Sequence, residues 1–323
     1  MARPLRNWHH DVASNAACIA DRKSPLKILL KTKNDRWLLE DWIKHHSEVC
    51  GINSLIVFDN DSDDQNVIET YERLAPELLV FKFSGHHNNL HFLDKNPELY
   101  RAIAESCDYF IFLDTDEFLQ WVDGNGTYNN RILNNLSAGF EAGGDFVCGI
   151  WLPNVSWDAT RYWVGGDQKV LEDGVRWGKP LLKSSAINTA FINHNIQARE
   201  AGLSAVSCGS LIVQHRHRLY REQRMMSNVN KLRQRRVIVK LEDSLESIQN
   251  LISEASDPNV VLYLTEIIDL RNVDEKEKKH TQGFVRFRPD GNLEFPTEME
   301  RSRLMSAVMS PETIIDPGLR PSN

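Results

Sequence analysis

The run Phe112-Leu113-Asp114-Thr115-Asp116-Glu117-Phe118-Leu119 places three carboxylates within four positions, directly after an apolar stretch. Carboxylates this close repel one another, and apolar flanks make their ionisation costlier unless a cation compensates it. A hard divalent ion, Mn²⁺ or Mg²⁺, takes carboxylate oxygens and keeps further positions for phosphate oxygens and water. Asp114 and Asp116 therefore suit a metal that carries a diphosphate. In the first turn of a helix, the same acids would instead complement the helix dipole. Asp59-Asn60-Asp61-Ser62-Asp63-Asp64 repeats the acidic theme. It suits an Asx-rich turn that caps a following helix, and it equally offers acceptors to a nucleotide base or ribose. His215 and His217 alternate, so on extended chain both face one side, as metal ligands or as structural histidines. The loop Gly85-His86-His87-Asn88-Asn89-Leu90-His91 is a second histidine cluster, with a spacing that fits no closed tetrahedral zinc site.

These residues need a frame. Lys27 to Thr32 is an apolar run stopped by Lys33-Asn34-Asp35, which predicts a buried strand, and Trp37 to His46 has helical apolar spacing with Gly51 as terminator. Strands are expected again over 54–58, 78–83 and 109–113, with helices over 67–74 and 98–107 between them. Short strands alternating with helices require parallel pairing with crossovers, so the fold class is α/β: a single Rossmann-type mixed sheet flanked by helices. Ligands of such sheets sit at the C-terminal strand ends, where the motifs between 31 and 117 all lie. Beyond Gly143-Gly144 a strand over 146–151 leads into an aromatic stretch with Trp157, Tyr162, Trp163 and Trp177, either a core patch or a platform for sugar faces. From Ser210 the chain reads as a strand, a basic segment and a long helix or helix pair through Ser256. A charged tail from Lys276 is expected to be loose. The expected domains are an N-terminal arm (1–24), a catalytic domain (25–225), and a helical C-terminal extension with its tail (226–323).

With 323 residues, 41% hydrophobic and 26% charged, the chain can bury a full core, which excludes a peptide hormone or a disulfide mini-protein. Its 38 basic and 45 acidic residues give −7, so no overall field draws it to nucleic acid or to an anionic membrane. Five scattered cysteines without a CxxC pair fit a reducing compartment. With no apolar run of signal or membrane-spanning length, the expectation is a cytoplasmic protein without stable membrane insertion. Segment 215–240 stands apart: nine Lys and Arg against one Glu make it +8, and the remainder is then −7 − 8 = −15. It reads as a solvated face paired with the acids of 242–254, or as a cationic wall beside a diphosphate or an anionic acceptor. Tyr220 is its one aromatic, which ranks RNA binding third.

Four motifs in order, Lys33-Asn34-Asp35, Asp41-Trp42-Ile43 with His45-His46, Phe58-Asp59-Asn60-X-Ser62-X-Asp64 and Phe112-Leu113-Asp114-X-Asp116-Glu117-Phe118, resemble those of family-2-like and family-92-type glycosyltransferases. The resemblance covers about residues 27 to 225, continuously to 120. It implies a GT-A fold, a nucleotide-sugar donor such as a UDP-sugar, a glycan or other hydroxyl acceptor, and Mn²⁺ or Mg²⁺. By the same resemblance, Asp114 and Asp116 serve the metal and the sugar diphosphate, while Asn34, Asp59 and Asn60 lie near the nucleotide. Trp177-Gly178-Lys179-Pro180-Leu181-Leu182-Lys183 is similar to the family's Gly-Lys segment before a His-containing strand, here Asn193-His194; Lys179 would assist the diphosphate, and His215 would complete the metal shell. Asp35 and Asp41 stand where Glu is usual, and Arg216 and Tyr220 where Tyr and Ser are expected. No base motif is legible; Asp158 and Asp167 are the candidate bases of an inverting transfer. Two other functions share these residues: a metal-dependent phosphohydrolase or nucleotidyltransferase, and a nucleotide-sugar-binding module without turnover. A haloacid-dehalogenase-type site would want Thr or Val where Phe118 stands.

Overall fold

The computed structural model describes residues 5–75, 77–123, 126–127, 132–141, 143–155, 157–164, 178–187, 190–206, 211–272 and 283–309. Its first half is the expected alternation. β1 (Arg6–Asn7) and α1 (Val12–Ala20) precede β2 (Leu26–Thr32), α2 (Leu39–Cys50), β3 (Leu55–Asp59), α3 (Gln65–Leu74), β4 (Leu79–Lys82), α4 (Pro97–Ser106) and β5 (Tyr109–Asp114). These five strands are parallel, in the order β1-β4-β3-β2-β5. Successive side chains of each strand enter opposite layers. Ile28, Leu30, Ile111 and Leu113 join the core containing Trp42 of α2 and Val67 of α3, whereas Leu29, Phe110 and Phe112 join Ile19 of α1 and Ile103 of α4. Local signals set the helix ends: the Asp64 side chain caps α3, Pro97 opens α4, and Gly51, at φ 82°, closes α2.

After β5 the sheet becomes mixed. A turn at Thr115-Asp116 sends the chain back as β6 (Glu117–Asp123), so no helix N-terminus sits under the acids. β7 (Gly126–Thr127), α5 (Ile132–Glu141), β8 (Phe146–Pro153), β9 (Arg161–Trp163), β10 (Gly178–Lys183), α6 (Asn195–Glu200), β11 (Ala205–Val206) and β12 (Leu211–His215) follow. The sheet continues β5-β10-β8-β12-β6-β7, with β11 beside β8, to a total of 11 strands. β10 and β8 approach closely: a Cβ on Gly178 would stand 1.7 Å from the Gly149 carbonyl oxygen, so that position needs glycine.

α7 (Arg221–Gln234), α8 (Leu245–Glu254) and α9 (Pro258–Asn272) share a core of their own around Leu232, Ile248, Leu264 and Ile267. The expected α/β class, with one large mixed sheet flanked by helices and a helical C-terminal extension, is what is found. Three details of the expected layout differ. The N-terminal segment joins the sheet, because Arg6 pairs with Phe81 and the buried Trp8 packs edge-on against Phe58 and Phe81. Helix α7 runs through the 225/226 boundary. The charged tail returns as β13 (Phe284–Phe287), β14 (Leu293–Glu294) and α10 (Glu298–Met309), with β13 between β9 and β14, because Val285 and Leu293 bury against Tyr162. Cys18, Cys50 and Cys107 are free thiols. Among the described residues no helix is long and apolar enough to cross a membrane.

Candidate functional site

The C-terminal ends of β2, β3 and β5 open into a cavity of about 460 Å³. Asp114, Asp116 and Glu117 line it from the sheet, Asn34, Asp35 and Asn60 from the strand-end loops, and His215 and His217 from the end of β12. One face of α7 forms a further wall, with Trp151, Asn193, His194 and Tyr263 beside it.

Strand register assembles the acids. Lys31 is the β2 partner of Asp114 in β5, with its ammonium 3.4 Å from Asp114 Oδ1. Lys179, fully buried on β10, donates to Asp114 Oδ2 at 3.0 Å and to Asn193 Oδ1 at 2.9 Å, and lies 3.5 Å from Glu117 Oε2. On the other side, β12 runs antiparallel to β6 with His215 opposite Glu117, and the Arg216 N–H donates to the Asp116 carbonyl at 2.7 Å. That register leaves His215 Nε2 3.3 Å from Asp116 Oδ2. Glu117 turns inward and accepts from the Trp151 indole N–H and from the Asp114 backbone N–H, both at 2.8 Å. The Trp151 ring then stacks on His215, with centroids 4.7 Å apart.

The charges follow from these contacts. Burial alone would raise the Asp116 carboxyl, but the charge and hydrogen bond of His215 outweigh it and hold Asp116 below the usual carboxylate range. Burial pushes Glu117 up to about 7, with Lys179 opposing the rise. Lys179 itself is burdened by burial yet raised overall by Asp114 and Glu117, whereas burial prevails for Lys31 and lowers it. Asp35 is pushed up to about 6 by burial, although the Gln223 amide donates to it at 2.9 Å. His217 falls to about 3 through burial and the neighbouring His215.

Whether a divalent ion fits can be judged from the donors. Two cis ligands of an octahedral ion, each at about 2.1 Å, stand about 3.0 Å apart, so the 3.3 Å between Asp116 and His215 suits a shared cation. The Asp114 side chain is 41% exposed, but its two oxygens already face ammonium groups. Among the described residues no group of three or more His, Cys, Asp or Glu could hold a metal. The Asp116–His215 pair thus fits part of a coordination shell, to be completed by a ligand's phosphate oxygens and water.

The remaining residues singled out in the sequence divide. Asn34, at φ 53°, accepts through Oδ1 from the backbone N–H groups of Asp63 and Asp64 and so ties two strand-end loops together. Asn60 lines the cavity, its amide donating to the Gly85 carbonyl at 3.1 Å. Asp59 does not line it: buried, it accepts from the Ser62 and Tyr71 hydroxyls and shapes the loop from behind. Asp158 also lies off the cavity, its carboxylate engaged by Thr160 and Arg161 in the turn before β9. Asp167 and Trp177 fall outside the described residues. His91 is buried against Phe112 and Phe191. Side-chain ion pairs of the basic segment reach α9 and the turn before it: Arg224 grips Glu266 at 3.0 and 2.7 Å, and Arg235 meets Asp257 at 3.4 Å. Sequence reasoning passed over Lys31, Trp151 and the amide side chains of α7. For Lys31 the signal was a lysine inside an apolar strand, which demands a buried partner.

No protein family matches the chain, and no curated protein matches it. Among solved structures, S. aureus TarS matches with a TM-score of 0.36 at 11% identity, over 64% of this chain and 40% of that one. This chain therefore spans well under half the length of TarS. The mannosyltransferase PcManGT from Pyrobaculum calidifontis, in complex with GDP-Man and Mn²⁺, matches at 0.38 and 10% identity over 81% of this chain and 80% of that one. Glucosyl-3-phosphoglycerate synthase from Mycobacterium tuberculosis, in complex with Mn²⁺, UDP-glucose and phosphoglyceric acid, matches at 0.34 and 16% over 74% and 90%. Likenesses of this degree carry no inference about chemistry, which rests on the cavity itself.

Proposed function

We propose that this chain is a metal-dependent glycosyltransferase of GT-A type, which moves a sugar from a UDP-sugar or related nucleotide-diphospho-sugar to a hydroxyl of a glycan or other acceptor, with inversion, in the cytoplasm. The observation that supports this best is the meeting of Asp116 and His215 at 3.3 Å, beside the lysine-clamped Asp114, at a parallel strand end that opens into a ligand-sized cavity. In the transfer, an acceptor oxygen forms a bond to the anomeric carbon as the bond to the β-phosphate oxygen breaks, and that oxygen keeps the electron pair. Mn²⁺ or Mg²⁺, held by Asp116 and His215 with Asp114 at its side, would supply positive charge to the leaving diphosphate. Lys31 and Lys179 hold the Asp114 carboxylate in place, so it needs no reorganisation when the donor arrives. Asn34 and Asn60 line the side assigned to the nucleotide, with Asp59 shaping their loop. Asp158, whose oxygens are taken up locally, and Asp167 are the two candidates for taking the acceptor's proton.

Incubation with a panel of UDP-sugars and Mn²⁺, with and without hydroxyl acceptors, tests the proposal. Release of UDP that depends on acceptor supports it. Release of inorganic phosphate would make the chain a phosphohydrolase, and donor binding without any release would make it a binding module.

A further inference from the structure

Helix α7 turns an unusual face toward the acids. Gln223, Ser227, Asn230, Lys231 and Gln234 recur at helical spacing and all line the cavity. The amide oxygens of Gln223, Asn230 and Gln234 are shielded there and have no hydrogen-bond partner. Shielded acceptor oxygens left unpaired among the described residues are suited to a ligand. The helix is also fixed in place, since Glu266 of α9 accepts from both Arg224 and Asn228.

The cations of the cavity are unequally committed. Lys31 and Lys179 serve Asp114, and Arg224 serves Glu266. Lys231 differs: among the described residues no carboxylate oxygen lies within 4.0 Å of its ammonium, which stands 5.4 Å from the Tyr263 ring centroid. Asp116 and Asp114 are nonetheless among the charges near enough to act on it. A partly buried cation without a counter-ion is costly to keep, and an anionic ligand removes that cost.

We propose that Lys231 binds the distal phosphate of the nucleoside diphosphate, so that α7 of the C-terminal extension forms part of the donor site. This rests on the glycosyltransferase reading above. The ammonium would share the leaving diphosphate with the Asp116 side of the cavity and neutralise charge from the opposite wall. The amide stripe around it would hold the donor's polar edge in place.

The test is calorimetric titration of UDP, UMP and inorganic pyrophosphate, each with Mg²⁺, into the wild type, Lys231→Met and Lys231→Arg. Loss of one charge-assisted contact weakens UDP and pyrophosphate binding to Lys231→Met on the order of 10- to 100-fold. UMP, which lacks the distal phosphate, changes by less than about threefold, and Lys231→Arg retains most of the UDP affinity. Methionine keeps an apolar stem on Tyr263, and no ion pair is lost, so the melting midpoint without ligand should not fall. Equal UDP affinity in wild type and Lys231→Met overturns the assignment and leaves the transferase reading standing. A wild type that binds neither UDP nor pyrophosphate overturns both.

Discussion

Lys179→Met removes the ammonium at the centre of the buried charge cluster. In the folded protein that group lies 3.0 Å from Asp114 and 3.5 Å from Glu117, with no exposure to solvent. Breaking a buried pair costs about 3–5 kcal/mol, because a charge is left behind. Two features place this case at the lower end. Asp114 keeps Lys31 at 3.4 Å and is 41% exposed, so its charge remains compensated. Glu117, already pushed up to about 7 by burial, takes up a proton near neutrality once Lys179 is gone. A loss of about 3 kcal/mol at pH 7 is expected. The sign of its pH dependence follows from Glu117. Its folded pKa of about 7 exceeds the unfolded value, which is about 4.3. The folded state therefore holds more protons, and stability is lost as pH rises through that window. Without Lys179 the largest opposing charge is gone and only the weaker one of His215 is left, so the loss continues to higher pH, and Lys179→Met is more damaging at pH 8 than at pH 5. Adding Glu117→Gln removes the stranded acid and should restore about 1–2 kcal/mol. Urea denaturation of the single and double variants at both pH values measures this. A single variant within about 1 kcal/mol of wild type, or one equally destabilised at pH 5 and pH 8, would refute the reasoning.

Two further outcomes are expected. Glu266 is held down at about 2 because Arg224 and Asn228 outweigh the opposing effect of burial. Its contribution is thus present above about 4.3 and lost as pH falls through the folded value. Glu266→Gln should cost about 2 kcal/mol and flatten the acid side of a melting-midpoint series, whereas an unchanged acid slope would show that this clamp does not set it. His215→Ala should weaken Mn²⁺ binding in the presence of UDP on the order of 10- to 100-fold, and Asp116→Asn more severely, because the latter removes the charged ligand. Calorimetry giving the reverse order would move the centre of the metal site from Asp116 to His215.

Strands β2 to β5 were legible because each carries its own apolar run and ends in a loop with its own turn residues, whereas β1, Arg6–Asn7, has no such run. The strand-end position of Asp114 and Asp116 was readable in this way. What joins them to His215 is the register of β12 on β6, almost a hundred residues apart in sequence, and no local pattern encodes it. Asp59 was misleading as a cavity residue: a buried carboxylate that accepts from Ser62 and Tyr71 has the same sequence signature as one that faces a ligand. The α7 stripe went unnoticed for a related reason. Gln223, Ser227, Asn230 and Gln234 are spaced like any solvated helix face, and only the packing of α9 behind it shows that this face looks into a cavity. The basic segment was visible in the composition, but its partner Glu266 was not, since α9 meets α7 through tertiary packing.

Nucleotide-dependent thermal stabilisation of purified protein, with Mn²⁺ or with EDTA, tests the metal and diphosphate site most directly, in the wild type and in Asp116→Asn. A ligand at 100 times its Kd stabilises the folded state by about 2.7 kcal/mol, a clear rise in midpoint. UDP is expected to raise the wild-type midpoint with Mn²⁺ and not with EDTA, and to leave Asp116→Asn unmoved although that variant melts cooperatively. The same UDP shift in EDTA, or in Asp116→Asn, would contradict the account.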